Sequence, residues 1–157
     1  MRILVLSDAH GRRGPIERVL SAHPEARAAV FLGDGLSEFL EAAALYPSLS
    51  YYSVGGNCDY FYAGNPAKII ELGGKRVFFT HGHLHGVKSG TRRLADSARQ
   101  NGADIALYGH THAAFSGYEG GLYLFNPGSV SRPRAGPPSY GMLDITPAGV
   151  VPVIVRL

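Results

Sequence analysis

Three apolar runs in the first half of the chain, at residues 3–7, 28–32 and 49–54, predict buried strands. Each run stops at polar residues, as expected where a strand ends and delivers side chains to a site. A helix is predicted between the first two strands at residues 15–22, where Pro15 suits the first turn. A second helix follows the second strand, and its apolar face carries Leu36, Phe39, Leu40 and Ala43. This half therefore alternates strand and helix.

The second half is richer in strands. Residues 68–72 and 76–80 flank Gly73-Gly74-Lys75 and predict a hairpin. A helix at residues 92–101 is capped by Thr91. The remaining strands are predicted at residues 105–108, 114–118, 122–125, 141–145 and 150–155. Alternating elements followed by strands predict an α/β sandwich of two mixed β-sheets flanked by helices.

Composition narrows the class of protein. The 157 residues, 45% hydrophobic and 17% charged, fit a single globular domain over residues 1–157. The net charge of +3 is too small and dispersed for a nucleic-acid-binding surface, but it is compatible with a small anionic substrate. The one cysteine, Cys58, excludes an intramolecular disulfide and agrees with a reducing compartment, so we expect a cytoplasmic protein. Neither a signal peptide nor a stretch of membrane-spanning length is present, so no membrane association is expected.

Histidines are clustered along the chain, and the clustering indicates a metal site. Six of the seven lie in three short segments, which are Asp8-Ala9-His10, His81-Gly82-His83-Leu84-His85 and Gly109-His110-Thr111-His112. Imidazole nitrogens mixed with carboxylate oxygens favour Mn, Fe, Zn or Ni over Mg or Ca. Independent surface or core histidines are the alternative explanation.

The candidate ligands follow predicted strands, so they are expected to meet at one edge of the fold. They occur in five motifs, which are Asp8-x-His10, Gly33-Asp34, Gly56-Asn57-Cys58-Asp59, His81-Gly82-His83 and Gly109-His110-x-His112. Residues at i and i+2 of an extended backbone point to the same side, so each pair can reach one site. This many donors exceeds the needs of one tetrahedral ion, and two metals sharing a bridging carboxylate are the simpler interpretation.

In order and spacing, these five motifs resemble those of the calcineurin-like metallophosphoesterases, especially the small YfcE-like phosphodiesterases. The resemblance extends over essentially the whole chain. It implies that Asp34 bridges two divalent ions. The first ion would be bound by Asp8, His10, Asp34 and His112, and the second by Asp34, Asn57, His81 and His110.

The activity implied by the resemblance is hydrolysis of a small phosphodiester by a hydroxide generated between the two ions. Mn is the first choice of metal, with Ni, Fe or Zn as alternatives. A phosphomonoesterase with the same site, and a non-catalytic metal-binding scaffold of this fold, are the other functions considered. The resemblance also favours a homodimer.

The leaving-group proton donor is the open part of this mechanism. Large members of the family carry histidine where this chain has Cys58, so the thiol, His83 or a metal-bound water are the candidates. The expected catalytic residues are Asn57, Cys58, Asp59 and His83. The neutral Asn57 keeps the site less anionic than a third aspartate would, which favours an anionic substrate. Because no strong acid is available to protonate the leaving group, substrates with good leaving groups are favoured over simple alkyl monoesters. On this basis and by analogy with the family we expect a phosphodiester.

Residues outside the motifs are candidates for substrate contact. Segment 126–129, continuing through Arg132 and Arg134, also resembles the C-terminal motif of the small family members, and the resemblance implies that this loop lies near the metal centre. Arg132 and Arg134 are expected to bind phosphate or only to solvate a Pro-rich loop. Residues 60–62, Tyr-Phe-Tyr, are expected to wall the pocket, to form a subunit contact or to be ordinary core aromatics. His85 is expected to be a loop residue and not a ligand.

Overall fold

The computed structural model describes all 157 residues and consists of two five-stranded β-sheets packed face to face, with helices on their outer surfaces. The strands are β1 (Arg2–Leu6), β2 (Ala28–Phe31), β3 (Ser50–Ser53), β4 (Ala67–Leu72), β5 (Lys75–Thr80), β6 (Ile105–Leu107), β7 (Phe115–Glu119), β8 (Leu122–Asn126), β9 (Ser139–Thr146) and β10 (Gly149–Arg156). The helices are α1 (Arg13–Ala22), α2 (Leu36–Ala43) and α3 (Arg92–Gln100), with a single 3-10 turn at His83–His85. The predicted α/β sandwich of two mixed sheets is confirmed.

Parallel pairing in both sheets brings strand ends to a common edge. The first sheet has the order β10-β9-β1-β2-β3, in which β1, β2 and β3 are parallel. The second has the order β4-β5-β6-β8-β7, in which β5, β6 and β8 are parallel. The carboxyl ends of these six strands therefore deliver their loops to the same edge of each sheet, as the positions of the polar residues predicted.

The core lies between the sheets because alternate residues of a strand point to opposite faces. Ile3 and Val5 of β1 face inward and belong to the same buried cluster as Val77 and Phe79 of β5. The intervening residues of β1 face outward, where they pack with residues of α1 and α2. A third cluster joins the outer face of the second sheet to α3. The layers are thus helix, sheet, sheet and helix.

The structure differs from the predictions at several elements. The hairpin turn has two residues, Gly73 and Gly74, and not three, because both adopt positive φ and Lys75 already pairs in β5. Thr91 lies at the start of α3 but makes no side-chain capping hydrogen bond. Leu40, expected on the buried face of α2, is 54% exposed, while Ala42 is buried. No helix has the length and apolar character needed to cross a bilayer.

Candidate metal centre

Backbone hydrogen bonds tie together the loops that carry the predicted ligands. The N–H of Asp8 donates to the carbonyl of Gly33 at 2.9 Å, and the N–H of His10 donates to the carbonyl of Asp34 at 2.9 Å. Across the two sheets, the N–H of His110 donates to Oδ2 of Asp8 at 3.1 Å. The loops after β1, β2 and β6 are therefore fixed relative to one another.

The first group of donors consists of Asp8, His10 and His112. The Nε2 atoms of His10 and His112 lie 3.1 Å apart, and Nε2 of His112 lies 3.3 Å from Oδ1 of Asp8. This Oδ1 is buried and has no hydrogen-bond partner within the protein. A buried carboxylate oxygen without a partner is costly unless a cation or a donor compensates it.

The second group lies on the other side of Asp34. Nε2 of His81 lies 3.2 Å from Oδ1 of Asn57, 3.1 Å from Nδ1 of His110 and 3.4 Å from Oδ2 of Asp34. The same Oδ2 lies 3.8 Å from Nε2 of His10 in the first group. One oxygen of Asp34 therefore faces both groups.

Asp34 is held in this orientation by its other oxygen, Oδ1, which accepts the N–H of Cys58 at 2.7 Å. Burial raises the pKa of Asp34, but the hydrogen bond and charge of His81, together with Cys58, outweigh burial and hold the pKa well below its usual range. The carboxyl is thus an anion at neutral pH, the form in which a carboxylate binds a cation.

Ring orientation is fixed at two histidines by carbonyl partners. Nδ1 of His81 donates to the carbonyl of Leu32 at 2.7 Å, and Nδ1 of His112 donates to the carbonyl of Arg132 at 2.6 Å. Burial lowers the pKa of His81, but the hydrogen bond to Asp34 outweighs it and raises the pKa. The hydrogen bond to Asp8 raises the pKa of His112. Because Nδ1 of each ring donates to a carbonyl, Nε2 is the nitrogen that would give up its proton to bind an ion. Burial, then the neighbouring His81, lowers the pKa of His110 to about 4, which keeps that ring neutral at pH 7.

The donor set fits two transition-metal ions. Ligand atoms bound to one ion at about 2.1 Å lie roughly 3.0–3.5 Å apart, close to most of the separations in both groups.

Backbone strain is concentrated at the same residues. All non-glycine residues with positive φ are in the donor groups, and they are Asp8, His10, Asp34, His110 and His112. Such conformations cost on the order of 1–3 kcal/mol each and are typical of functional sites.

Asp59 supports the backbone of the loops that carry the donor residues. Its two oxygens accept four backbone N–H groups, from Asp34, Gly35, Leu36 and Gly56, at 2.8–2.9 Å. These bonds cap the N-terminus of α2 and fasten the loop after β3 to the loop after β2. Both oxygens are occupied in this way, so the carboxylate orients Asp34 instead of facing the donor atoms.

Cys58 and His83 border the donor groups. The Cys58 thiol lies with His10 and Asp34, their donor atoms being within 4.8 Å of one another. Burial, followed by the nearby Asp34, raises the pKa of Cys58 to about 11. The His83 ring is 5.4 Å from the ring of His81, and burial lowers its pKa. His85 instead packs edge-on against Phe78 and lies outside both donor groups.

Two surface features flank the centre. Arg132 and Arg134 line a polar depression of about 250 Å³ together with Lys88, His110 and His112. Lys88 was not predicted, because an isolated exposed lysine carries no signal in the sequence. On the opposite side, Tyr60 and Phe61 are exposed, so the expectation of core aromatics is wrong for them, whereas Tyr62 is partly buried and packs against the core.

Side-chain hydrogen bonds from the segment after β8 hold the loops that carry the donor residues. The hydroxyl of Ser129 donates to the carbonyl of Asp8 at 2.7 Å, and that of Ser131 donates to the carbonyl of Ala9 at 2.7 Å. The amide of Asn126 donates to the carbonyl of Gly109 at 3.0 Å. Segment 126–129 was expected near the centre, whereas Ser131 was missed because a lone serine in a loop is common.

The chain is similar to known phosphoesterases over most of its length. Residues 1–147 match the model of the calcineurin-like phosphoesterase superfamily domain. The chain is 35% identical to the probable metallophosphoesterase YsnB of Bacillus subtilis, with 85% of this chain and 78% of the relative covered. It is 36% identical to phosphodiesterase YfcE of Escherichia coli, with 92% and 88% covered.

Solved structures show the same fold. A conserved protein of Streptococcus pneumoniae TIGR4, described as a predicted phosphoesterase, superposes with a TM-score of 0.77 at 29% identity, covering 98% of this chain and 97% of the other. The structure of E. coli YfcE gives a TM-score of 0.71 at 33% identity, covering 92% and 88%. The Zn²⁺ complex of Vps29 from Entamoeba histolytica, at 22% identity and a TM-score of 0.76 with 99% of each chain covered, shares the fold alone. The protein belongs to the calcineurin-like phosphoesterase superfamily.

Proposed function

We propose that this protein is a phosphodiesterase that depends on two divalent metal ions. The observation that carries the proposal is the placement of Asp34 Oδ2, within 3.4 Å of His81 Nε2 and 3.8 Å of His10 Nε2. One ion would be held by Asp8, His10, Asp34 and His112, and the other by Asp34, Asn57, His81 and His110. Mixed nitrogen and oxygen donors suit Mn²⁺, our first choice, as well as Ni²⁺, Fe²⁺ or Zn²⁺.

Once bound, the two ions would supply Lewis-acid activation of water and of the phosphoryl group. The protein supplies the rest. Asn57 contributes a neutral oxygen, which limits the negative charge that an anionic phosphate meets. Lys88, Arg132 and Arg134 place positive charge beside the donor groups and attract the phosphate.

A diester with a good leaving group suits the residues around the centre better than an alkyl monoester. The pKa of Cys58 is raised to about 11, so the thiol is protonated at pH 7 but is a weak acid. His83 has a lowered pKa and its ring is neutral at pH 7, so it holds no extra proton to donate. Leaving groups that depart without a proton are therefore favoured. Sequence similarity to the phosphodiesterase YfcE points the same way.

Two wider assignments complete the proposal. We place the enzyme in the cytoplasm, because its single thiol is free and exposed, which suits a reducing compartment. We also treat residues 1–157 as a single domain, since strands from both halves of the chain contribute to the core between the sheets. Formation of a homodimer stays a prediction.

The test is turnover by metal-stripped protein that is re-supplied separately with Mn²⁺, Ni²⁺, Zn²⁺ or Mg²⁺. The panel contains p-nitrophenyl diesters and p-nitrophenyl phosphate, so that both classes release the same chromophore. We expect no turnover without metal and a larger kcat/KM for the diesters. Larger values for the monoester would refute the diester assignment, and inactivity with every metal would favour a non-catalytic scaffold.

Substitution of His112 by alanine separates the site from the fold. Removing a proposed ligand should abolish turnover and weaken Mn²⁺ binding. The His112 side chain is one-quarter exposed, so we expect the fold to survive and the far-ultraviolet circular dichroism to stay unchanged. The control is His23→Ala, checked by the same circular dichroism, because His23 lies before β2 at the opposite edge of the sheet, where its ring contacts Tyr140 and Glu25. Loss of turnover in the control as well would show that the effect is not specific to the centre.

Asn57→Asp tests the charge of the second donor group. The substitution keeps an oxygen at the same place and adds a negative charge. We expect a raised KM for anionic diesters or loss of turnover. An enzyme with unchanged kinetics would contradict the role given to the neutral amide.

A further inference from the structure

Three surface depressions lie side by side along the carboxyl edge and share residues. The central one contains His10 and Asp34 of the donor groups. It shares Cys58 and Asp59 with an apolar groove of about 370 Å³. At its other side it shares Arg132 with the polar depression that contains His110 and His112. We call the three together the trough.

The apolar end of the trough is built from side chains that are unusually exposed for their type. Phe61 is 103% exposed, Tyr60 is 84% exposed, and Leu40 on the neighbouring helix α2 is 54% exposed. Leu36 and Tyr62 complete the wall. When a flat apolar group covers exposed aromatic and aliphatic carbon, that surface is removed from water and the free energy falls. This end therefore suits an aromatic ring or a heterocycle.

The opposite end of the trough is basic. Lys88, Arg132 and Arg134 are exposed, and the side chains form no ion pair or hydrogen bond within the protein. No aspartate or glutamate lines this end, and its other residues are His110, Thr111, His112 and Pro133. Three uncompensated cations attract an anion beyond the phosphate that the donor groups themselves would face.

We propose that the substrate is an asymmetric phosphodiester, with an aromatic or heterocyclic group on one side of the scissile phosphate and an anionic group on the other. The aromatic arm lies against Tyr60 and Phe61, and the anionic arm, a carboxylate or a second phosphate, lies against Lys88 and Arg134. This inference rests on the proposed phosphodiesterase function and deepens it. It assigns specificity to residues at the two ends of the trough.

The experiment compares two synthetic diesters that share a p-nitrophenyl arm. One carries a 2-carboxyethyl group on the phosphate, and the other carries an uncharged butyl group of similar length. In both, water attacks phosphorus and the bond to the aryl oxygen breaks with its electrons, so p-nitrophenolate and an alkyl phosphate monoester are released. The measured quantity is the ratio of kcat/KM for the carboxyethyl ester to kcat/KM for the butyl ester.

We expect a ratio of about 10 for the Mn²⁺-loaded protein at low salt, because exposed ion pairs contribute modestly and three cations act together. The ratio should fall as salt rises. The double variant Lys88→Met/Arg134→Met should bring it below about 2. Arg132 is left intact because it also borders the donor groups. The control, Arg27→Met, removes a charge at the amino end of β2 and should keep the wild-type ratio.

The aromatic arm is tested by Phe61→Ser, which alters a side chain that packs against nothing in the fold. We expect KM to rise about fivefold for both esters, with the ratio unchanged, because both carry the same ring. Phe115→Ser, on edge strand β7 and half exposed, is the matched control.

The possible outcomes distinguish failure of the asymmetric-substrate proposal from failure of the proposed phosphodiesterase function. Turnover of both esters with a wild-type ratio near 1, or a ratio that the double variant does not change, overturns the anionic arm. A KM within twofold of wild type in Phe61→Ser overturns the aromatic arm. Absence of turnover for both esters with every metal overturns the proposed function, and this inference with it.

Discussion

Replacing Asp59 by asparagine tests how the protein holds Asp34 between the two donor groups. The Asp59 carboxylate accepts four backbone N–H groups, two on each oxygen. Asparagine keeps one oxygen but places an amide NH₂ where the other oxygen was. Two backbone N–H groups would then face a donor and lose their acceptor.

The magnitude follows from these two lost bonds. A buried N–H left without an acceptor costs on the order of 1–3 kcal/mol, and hydrogen bonds to a charged group are at the upper end. Whichever oxygen is replaced, at least one of the two N–H groups belongs to a buried residue, Asp34 on one oxygen or Gly35 on the other, so water compensates only partly. We expect a loss of about 2–4 kcal/mol in the free energy of unfolding. For a protein of this size the loss lowers the melting temperature by roughly 5–15 °C.

The same substitution should weaken metal binding. The bond from the N–H of Asp34 to Asp59 fixes the backbone of the proposed bridging residue, and removing such a support typically costs about 10–100-fold in metal affinity. We therefore expect the dissociation constant for Mn²⁺ to rise by at least about tenfold in isothermal titration calorimetry.

The assay separates the two effects by measuring stability without metal. Urea denaturation is carried out in the presence of a chelator, and Mn²⁺ titration is carried out on the native protein. Asp96→Asn is the matched control, since Asp96 is exposed on α3 and its side chain makes no hydrogen bond or ion pair. The reasoning is refuted if Asp59→Asn matches this control in both stability and Mn²⁺ affinity.

Further predictions concern packing and pH. In Gly56→Ala, a Cβ would overlap Oδ1 of Asp34, so we expect lost turnover and about 1–3 kcal/mol of destabilisation by urea denaturation. In contrast, Gly14→Ala in α1 meets nothing within 4 Å and should stabilise by about 0.5 kcal/mol, so destabilisation there would contradict the helix assignment. Arg2 donates two hydrogen bonds to Asp144, at 2.9 and 2.8 Å, and lowers its pKa. The pair therefore stabilises the fold above the unfolded pKa of about 3.9 and loses that effect as pH falls through the lower folded pKa. Because the pair is one-third exposed, Asp144→Asn should cost only about 0.5–1 kcal/mol at pH 7, and the cost should shrink as the pH is lowered below about 3.9; a cost that does not change with pH would argue against the ion pair.

Local patterns were sufficient to predict most elements of the fold. Continuous apolar runs predicted β1 and β2, and the spacing of Leu36, Phe39 and Ala43 predicted α2. The prediction for Leu40 was wrong because periodicity shows which residues share a face but not how far the neighbouring sheet extends. Whether that face is covered depends on the packing of the helix, which is a tertiary property.

The sequence by itself determined which residues are available as ligands and where each lies relative to a strand end. Parallel strands end at one edge, so this local information was enough to predict that Asp8, Asp34 and His81 would meet.

Only the tertiary structure decided which atoms face one another. It placed one oxygen of Asp34 between two imidazoles, used Asp59 to hold four backbone amides, and brought Lys88 beside Arg134 at one end of the trough. These relations join residues that are tens of positions apart. The distances between such residues are set by sheet pairing and packing, and hydrogen bonds between loops then fix the orientation of each side chain.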